Sequence, residues 1–134
     1  MRTTNWRGAL AAFVAARQTQ GFSWEEGRDC CLLVADAIEV MTGEDPAAQL
    51  RGYRSRFGAA RSLVRLGHRS VVEFLDARFT RTARPRVGDL ILVRAEPPLD
   101  YVALVDRSGT ALGQGEHGLA RFPIPADAIA WSVG

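Results

Sequence analysis

No apolar run in the 134-residue sequence approaches the ~20 residues that a helix needs to cross a bilayer, so no membrane partner is expected. The N-terminus, Met1-Arg2-Thr3-Thr4-Asn5-Trp6, is followed by neither a signal-peptide apolar stretch nor a cleavage site, and the expected location is the cytosol or an assembled particle. Cysteine is scarce: Cys30 and Cys31 are adjacent and alone. A disulfide between neighbours needs a strained ring that a helix cannot supply, so a disulfide-stapled scaffold is excluded and at least one thiol stays free. The histidines number two, His68 and His117, and no Cys-x-x-Cys or His-x-x-x-His spacing accompanies them, so no metal site is expected. Cofactor signals are missing as well. Gly113-x-Gly115-x-x-Gly118 matches the dinucleotide fingerprint by letters, but it follows strand-like runs and opens no helix.

What remains is an ordinary globular composition, 47% apolar and 24% charged, in a length suited to one domain over residues 1–134. Such a chain buries enough surface to fold without staples. Lysine is absent, and the 17 basic residues are all arginine. They are unevenly spread. Residues 1–50 hold 4 Arg against 7 Asp and Glu, residues 51–86 hold 10 against 2, and residues 87–134 hold 3 against 6. A basic block of this kind suits a polyanion or an acidic protein surface. Nucleic acid is the weaker partner, because no aromatic is regularly interleaved with the arginines to stack bases. The plainest reading is a solvated helical surface that pairs in part with the acidic ends.

Periodicity divides the chain. Asn5 can cap a helix whose Trp6, Leu10, Phe13, Val14 and Arg17 share a face, ending before Gly21. Residues 22–28 read as a loop leading to Asp29, a good N-cap for a helix over Cys30 to Met41. Only Asp36 and Glu39 are charged in that run, which predicts a central, protein-surrounded helix. Thr42-Gly43 stops it, Asp45-Pro46 restarts a short helix, Ser55 caps another to Gly67, and Ser70-Val71-Val72-Glu73 fits a capping box. After Pro85 the pattern becomes strand-like at 89–93, 101–105 and 111–112, with breaks at Pro97-Pro98 and Ser108-Gly109. Residues 121–124 and 129–133 read as edge strands. Helices followed by antiparallel strands give an α+β domain in which the buried central helix, with Cys30 at its start, packs on a small C-terminal sheet.

A thiol in the first turn of a helix meets unpaired N–H groups and the positive end of the macrodipole, which favour thiolate. Cys30 is thus the candidate nucleophile, weighed against a plain core role. Cys31, about 100° further round the helix, is expected to point elsewhere and pack as a small hydrophobe. Trp6, Trp24 and Trp131 read as core or loop anchors, with Trp24 close enough to Cys30 to line a groove.

Phe22-x-Trp24, Gly27-x-Asp29-Cys30, the apolar helix and Val87-Gly88-Asp89-Leu90 together resemble the NlpC-type branch of the papain-like cysteine peptidases, which hydrolyse peptide bonds in bacterial cell-wall stems. More narrowly, Phe22-Ser23-Trp24, Asp29-Cys30, Thr42-Gly43-Glu44-Asp45-Pro46-Ala47-Ala48, Leu50-Arg51-Gly52-Tyr53 and Ala130-Trp131 resemble an uncharacterised family of NlpC-like proteins encoded in phage tail clusters and prophages. The resemblance spans nearly the whole chain. It implies an NlpC/papain-like fold, a catalytic His at the head of a sheet strand, and a third polar residue after it.

Here the sequence departs from that pattern. In Asp100-Tyr101-Val102-Ala103-Leu104-Val105, Tyr101 stands in the histidine's place, and a phenol with a pKa of about 10 is a poor base at neutral pH. His117, in Gly115-Glu116-His117-Gly118, is the candidate displaced base, although a glycine-flanked turn is usually surface. His68 reads as a loop residue. Gln114 falls near the third polar position, where it would orient a base or join an oxyanion site. The expected function is a phage tail protein, at the tail tip or in its assembly, that lacks ordinary peptidase catalysis. Its partners would be other tail proteins, met through arginines such as Arg54, Arg61 and Arg65. The alternative is an active cell-wall cysteine peptidase or amidase acting on peptidoglycan stem peptides through Cys30.

Overall fold

The computed structural model describes residues 1–97 and 99–134; of the Pro97-Pro98 break, Pro98 lies outside the described residues. Among the described residues four helices precede the main sheet: α1 (Trp6–Arg17), α2 (Cys30–Thr42), α3 (Arg56–Arg65) and α4 (Val71–Arg78). The caps follow the sequence closely. Asp29 accepts from the backbone N–H groups of Cys31 and Leu32, Ser55 from Gly58, and Ser70 from Glu73, so each satisfies donors that a helix start leaves open. Asn5 precedes α1 as expected but makes no side-chain capping bond. Gly43 closes α2 with φ +82°, a left-handed turn that glycine adopts without a Cβ penalty, and returns its N–H to the Glu39 carbonyl.

One predicted element is absent. Residues 46–52 form consecutive turns rather than a short helix, with Ala47 O accepting from both Leu50 and Arg51. The side chains explain the ending. Asp45 is held by the Ala47 N–H and by the Arg51 guanidinium, which also reaches Asp36 on α2, and the backbone leaves the turn through Gly52 at φ +106°.

The sheet is antiparallel throughout, with strands β1 (Thr80–Arg81), β2 (Leu90–Arg94), β3 (Tyr101–Arg107), β4 (Thr110–Gln114), β5 (Leu119–Pro123) and β6 (Ala130–Ser132) in the order β1-β6-β2-β3-β4-β5. Two expectations are corrected here. β6 is no edge strand: it pairs with both β1 and β2, and fully buried Trp131 lies in its middle. The edge on that side is β1, two residues too short to show a period of two. β5 is an edge as expected, and Pro123 at its end needs no ladder donor.

Alternation along the strands sorts the core onto two faces. Leu90, Val102, Leu104, Leu112 and Trp131 meet the buried residues of all four helices, Val34, Ala37, Ile38 and Met41 of α2 among them. Ile91, Ala103, Val105, Ala111 and Ala130 pack on the opposite face with Val93, Phe122 and Ile124. Helix α2 is central, as its near-absence of charge predicts: Asp36 is neutralised by Arg17 and Arg51, and Glu39 faces solvent.

Candidate active site

The N-terminus of α2 opens onto a cleft lined by Phe22, Trp24, Asp29, Cys30, Cys31, Tyr53, Arg56, Glu96, Leu99, Tyr101 and Gln114. Each wall comes from a different element. The loop before α2 supplies Phe22 and Trp24, whose rings meet edge to face at 5.2 Å, and a Ser23–Arg28 bridge pinches that loop into a small hairpin. Tyr53, from the turns after α2, meets Trp24 at 6.2 Å. Its hydroxyl also donates to the Asp29 carboxylate, at 3.2 and 3.1 Å from the two oxygens. Asp29, 2% exposed, therefore caps α2 and anchors the cleft wall at once, and burial pushes its carboxyl above the usual range. Burial, followed by the Asp29 charge, pushes the Tyr53 phenol far up, so Tyr53 stays a donor at all ordinary pH.

Cys30 sits at the first position of α2 and faces the head of β3. Its Sγ lies 3.8 Å from Cys31 Sγ and 3.8 Å from the Asp100 carbonyl oxygen, which is itself 3.9 Å from Cys31 Sγ. The expectation that Cys31 points away is thus half corrected. Cys31 packs against the core, yet its sulfur lies beside Cys30 and the same carbonyl. The two thiols are driven apart electrostatically. A hydrogen bond from Cys31 holds Cys30 below the usual thiol range against the cost of burial, and the same bond, together with burial, pushes Cys31 well above it.

Tyr101 begins β3 across from Cys30, and its hydroxyl donates to the backbone carbonyl of Gln114 at 2.9 Å. The fit depends on Gly113: a Cβ there would lie 2.7 Å from the tyrosine oxygen, so the phenol fills the space a side chain would need. Arg94 stacks its guanidinium 4.9 Å from the ring centroid. Burial, and next the Cys30 charge, raise the phenol's pKa. Gln114 is buried, and its Nε2 donates to the Gln20 and Gly115 carbonyls, while its Oε1 has no partner among the described residues.

The remaining candidates lie elsewhere. His117 is 91% exposed beside Glu116 and does not line the cleft, so the structure does not bring the displaced base to Cys30. The extended turn at Gly115 to Gly118 carries it outward: Gly115 and Gly118 close on each other while the tip faces solvent. His68 packs edge to face on Phe74 at 5.5 Å and points toward Glu73. Asp89, of the Gly-Asp turn, is buried and binds Arg2, the Arg86 N–H and the Val133 N–H, which makes it a tie between the chain ends. Arg54, Arg61 and Arg65 lie on or just before α3, exposed and without ion pairs among the described residues. No group of three or more His, Cys, Asp or Glu side chains among the described residues is placed to hold a metal ion.

Tyr53 and Asp100 stand in stretches quoted from the sequence, but neither was given a role at the site. Asp100 is fully buried and accepts from the Val72 and Glu96 N–H groups, fixing the start of α4 and the loop before β3, while its carbonyl faces the two sulfurs. An aspartate just before an apolar strand run, and one of only two tyrosines beside a glycine turn, were the available signals.

No curated protein and no solved structure matches the chain. A family model described as a domain of unknown function, DUF6950, matches residues 1–133, and the chain belongs to that family.

Proposed function

We propose that this chain is an NlpC-like domain of a phage tail, at the tail tip or in its assembly, whose papain-like cleft engages a peptide segment without hydrolysing it. The observation that carries this reading is the lining of the cleft. A nucleophile-type cysteine stands at a helix start, but the facing strand presents Tyr101 and neither histidine contributes to the walls. Acyl transfer from a thiolate needs a group that hands a proton to the leaving amine. Tyr101 is poorly suited, with its proton committed to the Gln114 carbonyl and its pKa raised. Aromatic walls at Phe22, Trp24 and Tyr53 and the open acceptor on Gln114 suit a bound chain carrying N–H donors.

Docking in the particle would use α3. Arg54, Arg56, Arg61 and Arg65 are exposed there without ion pairs among the described residues, around Phe57 and Val64, which are 80% and 66% exposed. An apolar centre with a cationic rim fits an acidic neighbour, because matched charge steers encounter and fixes register. Particle assembly tests the reading. Cys30→Ala should be incorporated as wild type is, and Arg54→Glu, Arg61→Glu and Arg65→Glu combined should fold but fail to incorporate. Loss of assembly with Cys30→Ala, or normal assembly of the triple variant, overturns it.

A further inference from the structure

The second thiol has no part in a peptidase-like arrangement, yet it is placed with care. The Cys31 proton has two acceptors in reach, Cys30 Sγ at 3.8 Å and the Asp100 carbonyl at 3.9 Å. Cys30 in turn faces the cleft from the first turn of α2, where the positive end of the helix dipole favours negative charge. The Gln114 side chain in the same lining, 6% exposed, has an acceptor without a partner among the described residues. A polar atom left open in that position marks a wall that an occupant with an N–H group would complete.

We propose that Cys31 is a positioning residue whose thiol donates a hydrogen bond to a Cys30 thiolate, and that Cys30 is a modification site forming mixed disulfides with small peptide disulfides that enter the cleft. The opposed shifts of the two thiols agree with this division of labour. In the step, the Cys30 thiolate attacks one sulfur of an external disulfide. The new S–S bond forms as the old one breaks, and the departing thiolate takes a proton from water at the cleft mouth. Cys30 is oxidised, and one half of the disulfide is reduced to a thiol.

Cys31 cannot complete the exchange by expelling the adduct. Neighbouring Cα atoms stand about 3.8 Å apart across a trans peptide, short of the roughly 4.4–6.8 Å that a disulfide spans, and α2 would have to unwind to join the sulfurs. The mixed disulfide therefore persists until an outside thiol removes it. This inference does not depend on the tail reading, and its readouts involve no peptide cleavage.

The test is alkylation of Cys30 by iodoacetamide across pH, together with exposure to oxidised glutathione and peptide mass spectrometry. Cys31→Ala should move the Cys30 profile upward and slow alkylation at neutral pH roughly tenfold, since a hydrogen bond to the charged form is lost. Cys31→Ser, which keeps a donor of similar size, should restore most of the rate. Oxidised glutathione should place one glutathione on Cys30 and leave Cys31 alkylatable after unfolding. An unmoved profile in both Cys31 variants, an adduct on Cys31, or a Cys30–Cys31 disulfide overturns the proposal.

Discussion

Tyr101, Gly113 and Gln114 form one fitted unit, because the phenol occupies the space over Gly113 and its hydroxyl is the donor to the Gln114 carbonyl. Tyr101→Phe should destabilise by about 1–3 kcal/mol, the cost of leaving a buried carbonyl without its donor, read as a lower denaturant midpoint at constant slope. Asp29 has a separable charge and cap. Asn is an equally good N-cap, so Asp29→Asn should keep α2 while removing a negative charge that raises the Cys30 pKa, and Cys30 should alkylate faster at a given pH. A slower reaction would contradict that electrostatic role. At this scale the Asp29-Cys30 pair was legible because capping is local, within three residues of Asp29. Tyr53 and Asp100 meet the site across separations of 24 and 70 residues, and no local pattern reports such contacts.

Elements rest on the same few carboxylates. Helix α4 is pinned at its start by Ser70 and by Asp100, and its Asp76 receives both the Arg81 guanidinium and the Trp131 indole N–H, which ties α4 to β1 and β6. The Arg81 hydrogen bond, above all, holds the Asp76 carboxyl below its ordinary 3.8. The folded form then binds fewer protons than the unfolded form at acid pH, so this stabilisation is full above the unfolded value and is lost as pH falls through the lowered one. Asp76→Asn should flatten the acid limb of a thermal-unfolding profile below about pH 5. An acid limb identical to wild type would remove Asp76 from that role. Helices were legible from caps and charge-poor faces, and strands from β-branched runs. The place of β6 inside the sheet was not, because a three-residue strand beside a two-residue partner carries no register of its own.

Across the whole molecule, the ends of the chain meet. Arg2 donates to the Val133 and Val87 carbonyls and to buried Asp89, so the N-terminal segment is locked beneath the last strand. Asp89→Ala removes the carboxylate partner of that guanidinium and the acceptor of two backbone N–H groups. It should cost about 3–5 kcal/mol, measured by denaturant unfolding, as for other broken buried pairs. A loss near zero would show that the tie is dispensable. The basic block of the sequence divides in the fold: among the described residues Arg51, Arg69 and Arg81 are paired, while Arg54, Arg56, Arg61 and Arg65 stand without ion pairs at and along α3, and Arg78, Arg84 and Arg86 stand without ion pairs elsewhere. Charge arithmetic located that block but could not tell paired from free, since it assigns no partners: Glu73 and Asp76 hold Arg69 and Arg81 from within the block, and Asp36 and Asp45 hold Arg51 from another third of the chain.

The claim that the cleft holds a cysteine without a working base is tested most directly by incubating the purified protein with peptidoglycan stem peptides and following new amino termini by mass spectrometry. The expected result is no cleavage by wild type, with Cys30→Ala indistinguishable from it. Turnover by wild type that disappears in Cys30→Ala would contradict the claim and establish a peptidase.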